Sequence, residues 1–464
     1  MRLKLREYQT RAIGFCLEKR KAYLAMDVGL GKTAVALATI ATTKRPTLVI
    51  APLSVIHNTW PEEINKWAPW LSYEILHGYN KQKRMRLKKD IYLLNYDGLK
   101  WYYKELLKGR VKQMNLILDE ITFVKDPRTK RFKYLKAMLP MFPDIRLGLS
   151  GTPDSEDDLT QLWSQYYILD SGASLFTTFG RYTKKYFMYD AYTMKHYVHK
   201  HARKLIYNRI SPITFRLDRD DYLDLPPIIY NAMRVELPSS LKEKYDKFET
   251  EFVTAVENGT VTAFNAASLS SKLRQFVQGA LYTENETEFI HEVKVNKLAE
   301  LLESGNNILC PIQFRFEYEM LRKKFNDPPI IYGKTSSKQA RSYIDQWNKG
   351  QLPLLLVHPQ SISHGVNLQQ GGHTVVWLGL PWSFGQFYQM NGRLHRTGQQ
   401  KGVIVNAVIM KDTIDELVWK TLKRKEKGLE HLLTALKEKH HDKRTIKTVT
   451  RRTIHQNLAA ISTP

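Results

Sequence analysis

Apolar and polar positions along the 464-residue chain alternate between two rhythms. Short leucine, isoleucine and valine runs recur at residues 22–25, 46–51, 90–95, 116–118 and 146–149, separated by stretches with helical spacing. A run without a polar face is buried on both sides, and a helix between two such runs returns the chain so that the next strand lies parallel. The same alternation resumes at 307–311, 329–332, 354–357, 374–378 and 402–408. The pattern predicts an α/β fold with two parallel-sheet lobes in tandem and helical insertions.

Between the two sets, residues 175–224 are rich in tyrosine, phenylalanine and basic side chains, and Leu225-Pro226-Pro227 breaks the chain. Residues 238–278 read as helical, with Leu241, Tyr245, Phe248 and Phe252 near one stripe. The expected organisation is a first lobe over 1–224, with a helical insertion at about 155–224. A linker and helical insertion of the second lobe follow at 225–290, then the second lobe at 291–436 and a basic tail at 437–464. Residues 414–436 form an amphipathic helical pattern.

Charge narrows the partners. Lysine and arginine total 71 against 46 acidic residues, a formal charge of +25, which calls for a polyanionic partner. No apolar run approaches the roughly 18 residues of a spanning helix, so membrane insertion is not expected. Cys16 and Cys310 are far apart and lack a Cys-x-x-Cys spacing, which excludes a disulfide framework and a cysteine zinc site. With no targeting segment visible at the N-terminus, a reducing, cytoplasmic setting is expected.

The candidate chemistry sits at the ends of the predicted strands. Asp27-Val28-Gly29-Leu30-Gly31-Lys32-Thr33 follows the 22–25 run and opens an alanine-rich helix. Glycines let successive N–H groups curve around phosphate oxygens, the helix N-terminus favours negative charge, Lys32 reaches the terminal phosphates and Thr33 can ligate magnesium. Met26 stands where the usual pattern has its leading glycine, so the loop alone leaves a phosphate site and a solvated turn both open. The 116–118 run ends in Asp119-Glu120, where Asp119 would hold magnesium and Glu120 would orient or deprotonate the attacking water. A strand-end acidic pair that caps the next helix is the alternative. Ser150-Gly151-Thr152-Pro153 closes the 146–149 run.

Taken in order, these three segments resemble the first RecA-like lobe of superfamily 2 helicases. Gln389 to Gln399 contains the helicase pattern Q-x-x-G-R-x-x-R, through Gln389, Gly392, Arg393 and Arg396. Arg393 and Arg396 are three apart, so on a helix they share one face, from which two guanidiniums could act on an ATP site of the other lobe. Gly365-Val366-Asn367-Leu368 is similar to the family segment that couples DNA contact to nucleotide, and Leu5-Arg6-Glu7-Tyr8-Gln9 to its adenine-reading element, with Gln9 on the base edge.

Asp27 to Thr33 and Asp119 to Lys130 further resemble the sucrose-non-fermenting (Snf/Swi) branch, although Ile121-Thr122 replaces the family's Ala-His. The resemblance implies ATP and magnesium as cofactors, double-stranded DNA as partner, and ATP-driven tracking usually without strand separation, in a compact bacterial or phage-like member. Forked or single-stranded DNA is the further partner to consider. A strand-separating DNA or RNA helicase, or a DNA-binding scaffold with a vestigial ATP site, are the competing readings. Residues 81–89 and 125–136 each carry six basic side chains, and 181–209 interleaves basic residues with Tyr182, Tyr186, Phe187, Tyr189, Tyr192 and Tyr197, most of which are expected in the core.

Overall fold

The structure, a computed structural model, describes residues 5–27, 29–110, 114–154, 157–191, 195–218, 222, 225–257, 263–284, 286–362 and 366–441. Side chains are described throughout these except at 195, 251–257, 263–269, 337 and 429–441. The described residues fall into two units. The first takes the described residues within 1–222 together with 427–441; the second takes those within 223–426.

In the first unit, β1 (Lys21–Met26), β2 (Thr47–Ala51), β3 (Tyr73–Ile75), β4 (Ile91–Asn95), β5 (Asn115–Asp119) and β6 (Arg146–Leu149) realise the predicted runs and add one short strand. β7 (Phe187–Asp190) and β8 (Lys195–Val198) form a separate antiparallel ribbon, and β9 (Thr214–Leu217) returns to the main sheet. The seven strands run parallel in the order β3-β4-β2-β5-β6-β1-β9. β2, β4 and β6 are buried along their whole length, as their unbroken apolar runs require. Tyr182, Tyr186 and Phe187 join this core, whereas Tyr189 and Tyr197 of the ribbon are about half exposed. Tyr192 lies outside the described residues.

The second unit contains β10 (Ile228–Val235), a small ribbon of β11 (Ala280–Tyr282) and β12 (Thr287–Phe289), then β13 (Ile308–Pro311), β14 (Ile330–Ile331), β15 (Leu354–Val357), β16 (Thr374–Trp377) and β17 (Val403–Met410). Its six-stranded sheet is again parallel, in the order β10-β17-β16-β13-β15-β14. Each unit is thus a RecA-like parallel sheet with helices, and the α/β class follows.

Residues 228–235, which the sequence leaves in the linker, form β10, paired along its full length with β17. As an edge strand it alternates between half-buried and exposed positions, so it lacks the continuous apolar run that marks the inner strands. Helices Ser239–Glu257 and Ala263–Gln278 occupy the predicted helical stretch, and helix Ile414–His441 the amphipathic one. Among the described residues no helix is long and apolar enough to cross a membrane.

A buried ion pair ties the second unit together. Lys294, 2% exposed, donates to the Leu378 carbonyl at 2.7 Å and pairs with Asp415, whose Oδ2 also accepts the Met410 N–H at 3.0 Å. Desolvation lowers the Lys294 pKa, and Asp415 opposes that shift. Removing one partner strands the other charge in the interior. Lys294→Met is therefore expected to cost about 3–5 kcal/mol, read as a lowered unfolding transition in calorimetry.

Candidate nucleotide site

β5, β6 and β1 are consecutive neighbours and run in the same direction, so their C-terminal ends share one edge of the sheet. β1 leads into the glycine loop, β5 into Asp119-Glu120, and β6 into Ser150-Gly151-Thr152. Segments far apart in sequence therefore meet because of strand order alone.

Gly29 and Gly31 have φ of 89° and 79°, in the left-handed region, and helix Lys32–Thr43 begins with Gly31 as its cap. The backbone angle calls for glycine at 31, and a β-carbon there, 2.3 Å from Gln9 Nε2, would also displace the Gln9 amide. Gln9 is buried; its Nε2 donates to the Leu30 carbonyl at 3.2 Å and its Oε1 accepts the Arg6 N–H at 2.9 Å. Leu30 is buried, and Thr33 lies in the helix's first turn. Lys32 Nζ donates to the carbonyls of Met26 at 2.8 Å and Asp27 at 3.2 Å. Met26 ends β1 with its side chain in the core, and the lysine uses its carbonyl, which any residue supplies. Desolvation lowers the Lys32 pKa, while Glu120, Asp27 and Asp119 act in the opposite direction.

Burial likewise pushes the Asp119 carboxyl up to about 6, against the opposing effect of the Trp60 indole N–H, which donates to Oδ2 at 3.0 Å. The Tyr96 hydroxyl lies 3.0 and 3.2 Å from the carbonyls of Asp119 and Glu120, and its ring stacks on Phe123. Glu120 itself sits at φ 57°, ψ 61°. Its Oε1 accepts from Thr122 Oγ1 at 2.6 Å and from Ser150 Oγ at 2.8 Å. Asp119 and Thr33 offer a carboxylate and a hydroxyl, the hard oxygen donors that suit magnesium. That ion takes one or two carboxylates with phosphate oxygens and needs no all-protein cage. Among the described residues no group of three or more His, Cys, Asp or Glu is placed to hold a metal by itself.

The second unit holds the other expected residues. Gln389 lies half-buried on helix Phe384–Asn391, which ends before the two arginines. Arg393 and Arg396 are therefore in the following turn and not on one helix face. Gly392 is the C-cap, and tightened bonds from Arg393 N to Met390 O at 3.0 Å and from Leu394 N to Asn391 O at 3.2 Å bend the chain away. Both guanidiniums nevertheless donate to one atom, the Val366 carbonyl, at 3.4 Å from Arg393 and 3.2 Å from Arg396. Asn367, beside it, has its carbonyl accepting from Asn348 Nδ2 at 3.0 Å. Gly365 lies outside the described residues. Trp347, fully buried, donates to the Leu368 carbonyl at 2.8 Å, and Gln399 Nε2 reaches the carbonyls of Gln369 and Gly372, both at 3.0 Å, which binds the two loops together.

Sequence reasoning missed Trp60, Tyr96 and Arg216, the last of which donates to the Ala25 carbonyl at 2.8 Å beneath the glycine loop. No local pattern singles out Trp60, which stands between His57-Asn58-Thr59 and Pro61-Glu62-Glu63. Two outcomes follow. Gly31→Ala is expected to abolish ATP binding in a filter or fluorescence titration while the protein remains folded. Because Asp119 has a folded pKa above its unfolded one, its charge destabilises the fold at high pH, and protonation relieves this as pH falls through about 6. Asp119→Asn should thus raise the unfolding temperature of the nucleotide-free protein at about pH 8, with the gain vanishing toward about pH 4 in a pH series of melts.

Comparison with known proteins agrees with this layout. Residues 8–281 match the SNF2-related domain, and residues 293–398 match the helicase conserved C-terminal domain. Protein p41 of Acyrthosiphon pisum secondary endosymbiont phage 1 is 29% identical, over 94% of this chain and 99% of its own length. A Bacillus subtilis protein named as an ATP-dependent helicase/translocase, YwqA, is 27% identical over 91% of this chain. The chain spans 48% of that protein's length and 41% of a Mycoplasma genitalium protein named as an ATP-dependent helicase. Among solved structures, the Sulfolobus solfataricus SWI2/SNF2 ATPase core in complex with dsDNA is 24% identical, with 98% of this chain and 97% of that chain covered and a TM-score of 0.43. The first domain match alone spans more than half of the sequence, and with the helicase C-terminal match behind it the chain belongs to the SNF2-related family, as a compact superfamily 2 ATPase of two RecA-like lobes.

Proposed function

We propose that the protein hydrolyses ATP, with magnesium, to move along double-stranded DNA. The observation that carries this reading is the gathering of Lys32, Asp119, Glu120 and Ser150 at the shared edge of β5, β6 and β1. Every charged position that phosphoryl transfer needs from this lobe is filled, which weighs against a vestigial site. Membership of the SNF2-related family supports ATP hydrolysis, and the helicase/translocase name of the bacterial relative supports movement on nucleic acid. The charge of +25 supports a polyanionic track, and the Snf/Swi-type segments at 27–33 and 119–130 favour a duplex over a single strand.

The roles follow from the chemistry of each group. The glycine loop from Asp27 to Gly31 and Lys32 bind the phosphates, with Leu30 buried as the loop's anchor. Gln9 has capacity in its amide for one more donated and one more accepted hydrogen bond beyond those to Leu30 and Arg6, which is what an adenine edge requires. Thr33 and Asp119 hold magnesium, which when bound would neutralise phosphate charge. Glu120 orients the attacking water and takes its proton, a general-base role. Arg393 and Arg396 stabilise charge that develops on the transferred phosphoryl group. Gly365 and Asn367 couple DNA contact to the nucleotide site, and Gln389 contributes to nucleotide binding. The setting is cytoplasmic, in a prokaryotic or phage-infected cell.

Glu120→Gln is expected to bind ATP normally and to lose at least about 100-fold in turnover. Arg396→Ala should likewise bind nucleotide and fall by about 10³-fold or more in kcat; normal turnover in either variant would remove that residue from its role. A triplex-displacement assay run beside a fork-unwinding assay decides the mode of movement. The third strand should be stripped while the fork stays paired, and unwinding of the fork without triplex displacement would favour a strand-separating helicase.

A further inference from the structure

Glu120 occupies the left-handed region, unusual for a residue with a side chain, and the structure holds it there from three sides. On one side the Thr122 hydroxyl donates to Oε1 at 2.6 Å. On another, the Ser150 hydroxyl donates to the same oxygen at 2.8 Å while accepting the Thr152 N–H at 3.1 Å, which leaves its single hydrogen aimed at the carboxylate. Between them Ile121 is fully buried against β6, and a β-carbon on Gly148 would lie 2.6 Å from Ile121 Cδ1. Any side chain at residue 148 would push Ile121 out of this position. The two residues that depart from the family segment, Ile121 and Thr122, are those that lock this turn.

We infer that Thr122 is a positioning residue for Glu120: with Ser150 it clamps Oε1 and fixes the plane of the carboxylate toward the attacking water, while Ile121 on Gly148 holds the turn. This rests on the proposed catalytic role of Glu120. Thr122 touches no reacting atom. A clamp of this kind alters the geometry of the reacting state and leaves nucleotide affinity alone, and misplacement on the ångström scale costs up to about 100-fold.

The test is steady-state ATP hydrolysis with saturating duplex DNA for Thr122→Val, Thr122→Ser, Glu120→Gln and the Glu120→Gln/Thr122→Val double variant, beside thermal melts. Valine keeps the shape and removes the hydroxyl; it should lower kcat about 10- to 100-fold with KM for ATP and unfolding temperature unchanged. Serine, which keeps the hydroxyl, should restore most of kcat. In the Glu120→Gln background the valine change should cost little more, since both act on one group. Wild-type kcat in Thr122→Val, or a loss that serine does not rescue, overturns the clamp while Glu120→Gln remains inactive. Normal turnover in Glu120→Gln overturns instead the catalytic reading on which the clamp rests.

Discussion

An ammonium group drawn out of water at the end of a parallel sheet has to be met by opposite charge, and the first lobe is arranged around that requirement. Lys32 loses hydration where the glycine loop turns into its helix, and Asp27, Asp119 and Glu120 oppose the resulting shift. Asp119 carries a penalty of its own: burial pushes its carboxyl up to about 6, and the adjacent Glu120 adds to it. The acids therefore ease the burial of Lys32, whereas the Asp119 carboxylate stays penalised by its own burial and by Glu120. The cluster fits a multiply charged anion accompanied by a divalent cation, since these would bring the counter-charge that each half lacks.

The rest of the lobe serves to place these groups. The β5-β6-β1 order brings the strand ends together, and Gly29 and Gly31 let the backbone pass close to Gln9. The second lobe repeats the plan with different chemistry. Its loops after β15 and after helix Phe384–Asn391 are fastened by Trp347 and Gln399, and the Val366 carbonyl gathers both arginines.

Much of this was legible in the sequence because inner parallel strands leave continuous apolar runs, and the chemistry follows those runs directly: Asp27 after β1, Asp119 at the end of β5, Ser150 after β6. Edge strands were legible only in part: β14 falls in the 329–332 run, whereas β10 is half-exposed along its length and β9 interrupts its apolar residues with Thr214 and Arg216, so neither carries a continuous apolar run. The helix end at Asn391 was not legible because the spacing of Arg393 and Arg396 says nothing of Gly392 closing the helix before them. Trp60 and Tyr96 became part of the site through contacts with residues 59 and 23 positions away, which no local pattern encodes. Thr122 looked like a defect in a familiar segment, and only its distance to Glu120 gives it a use.

The most direct measurement is phosphate release from ATP by the wild-type protein, compared without nucleic acid and with duplex DNA, single-stranded DNA and RNA at matched nucleotide concentration and fixed salt. Slow basal release, strongly accelerated by the duplex and much less by either single strand or RNA, is the result this account requires. No release under any condition, or acceleration by single strands alone, would contradict it.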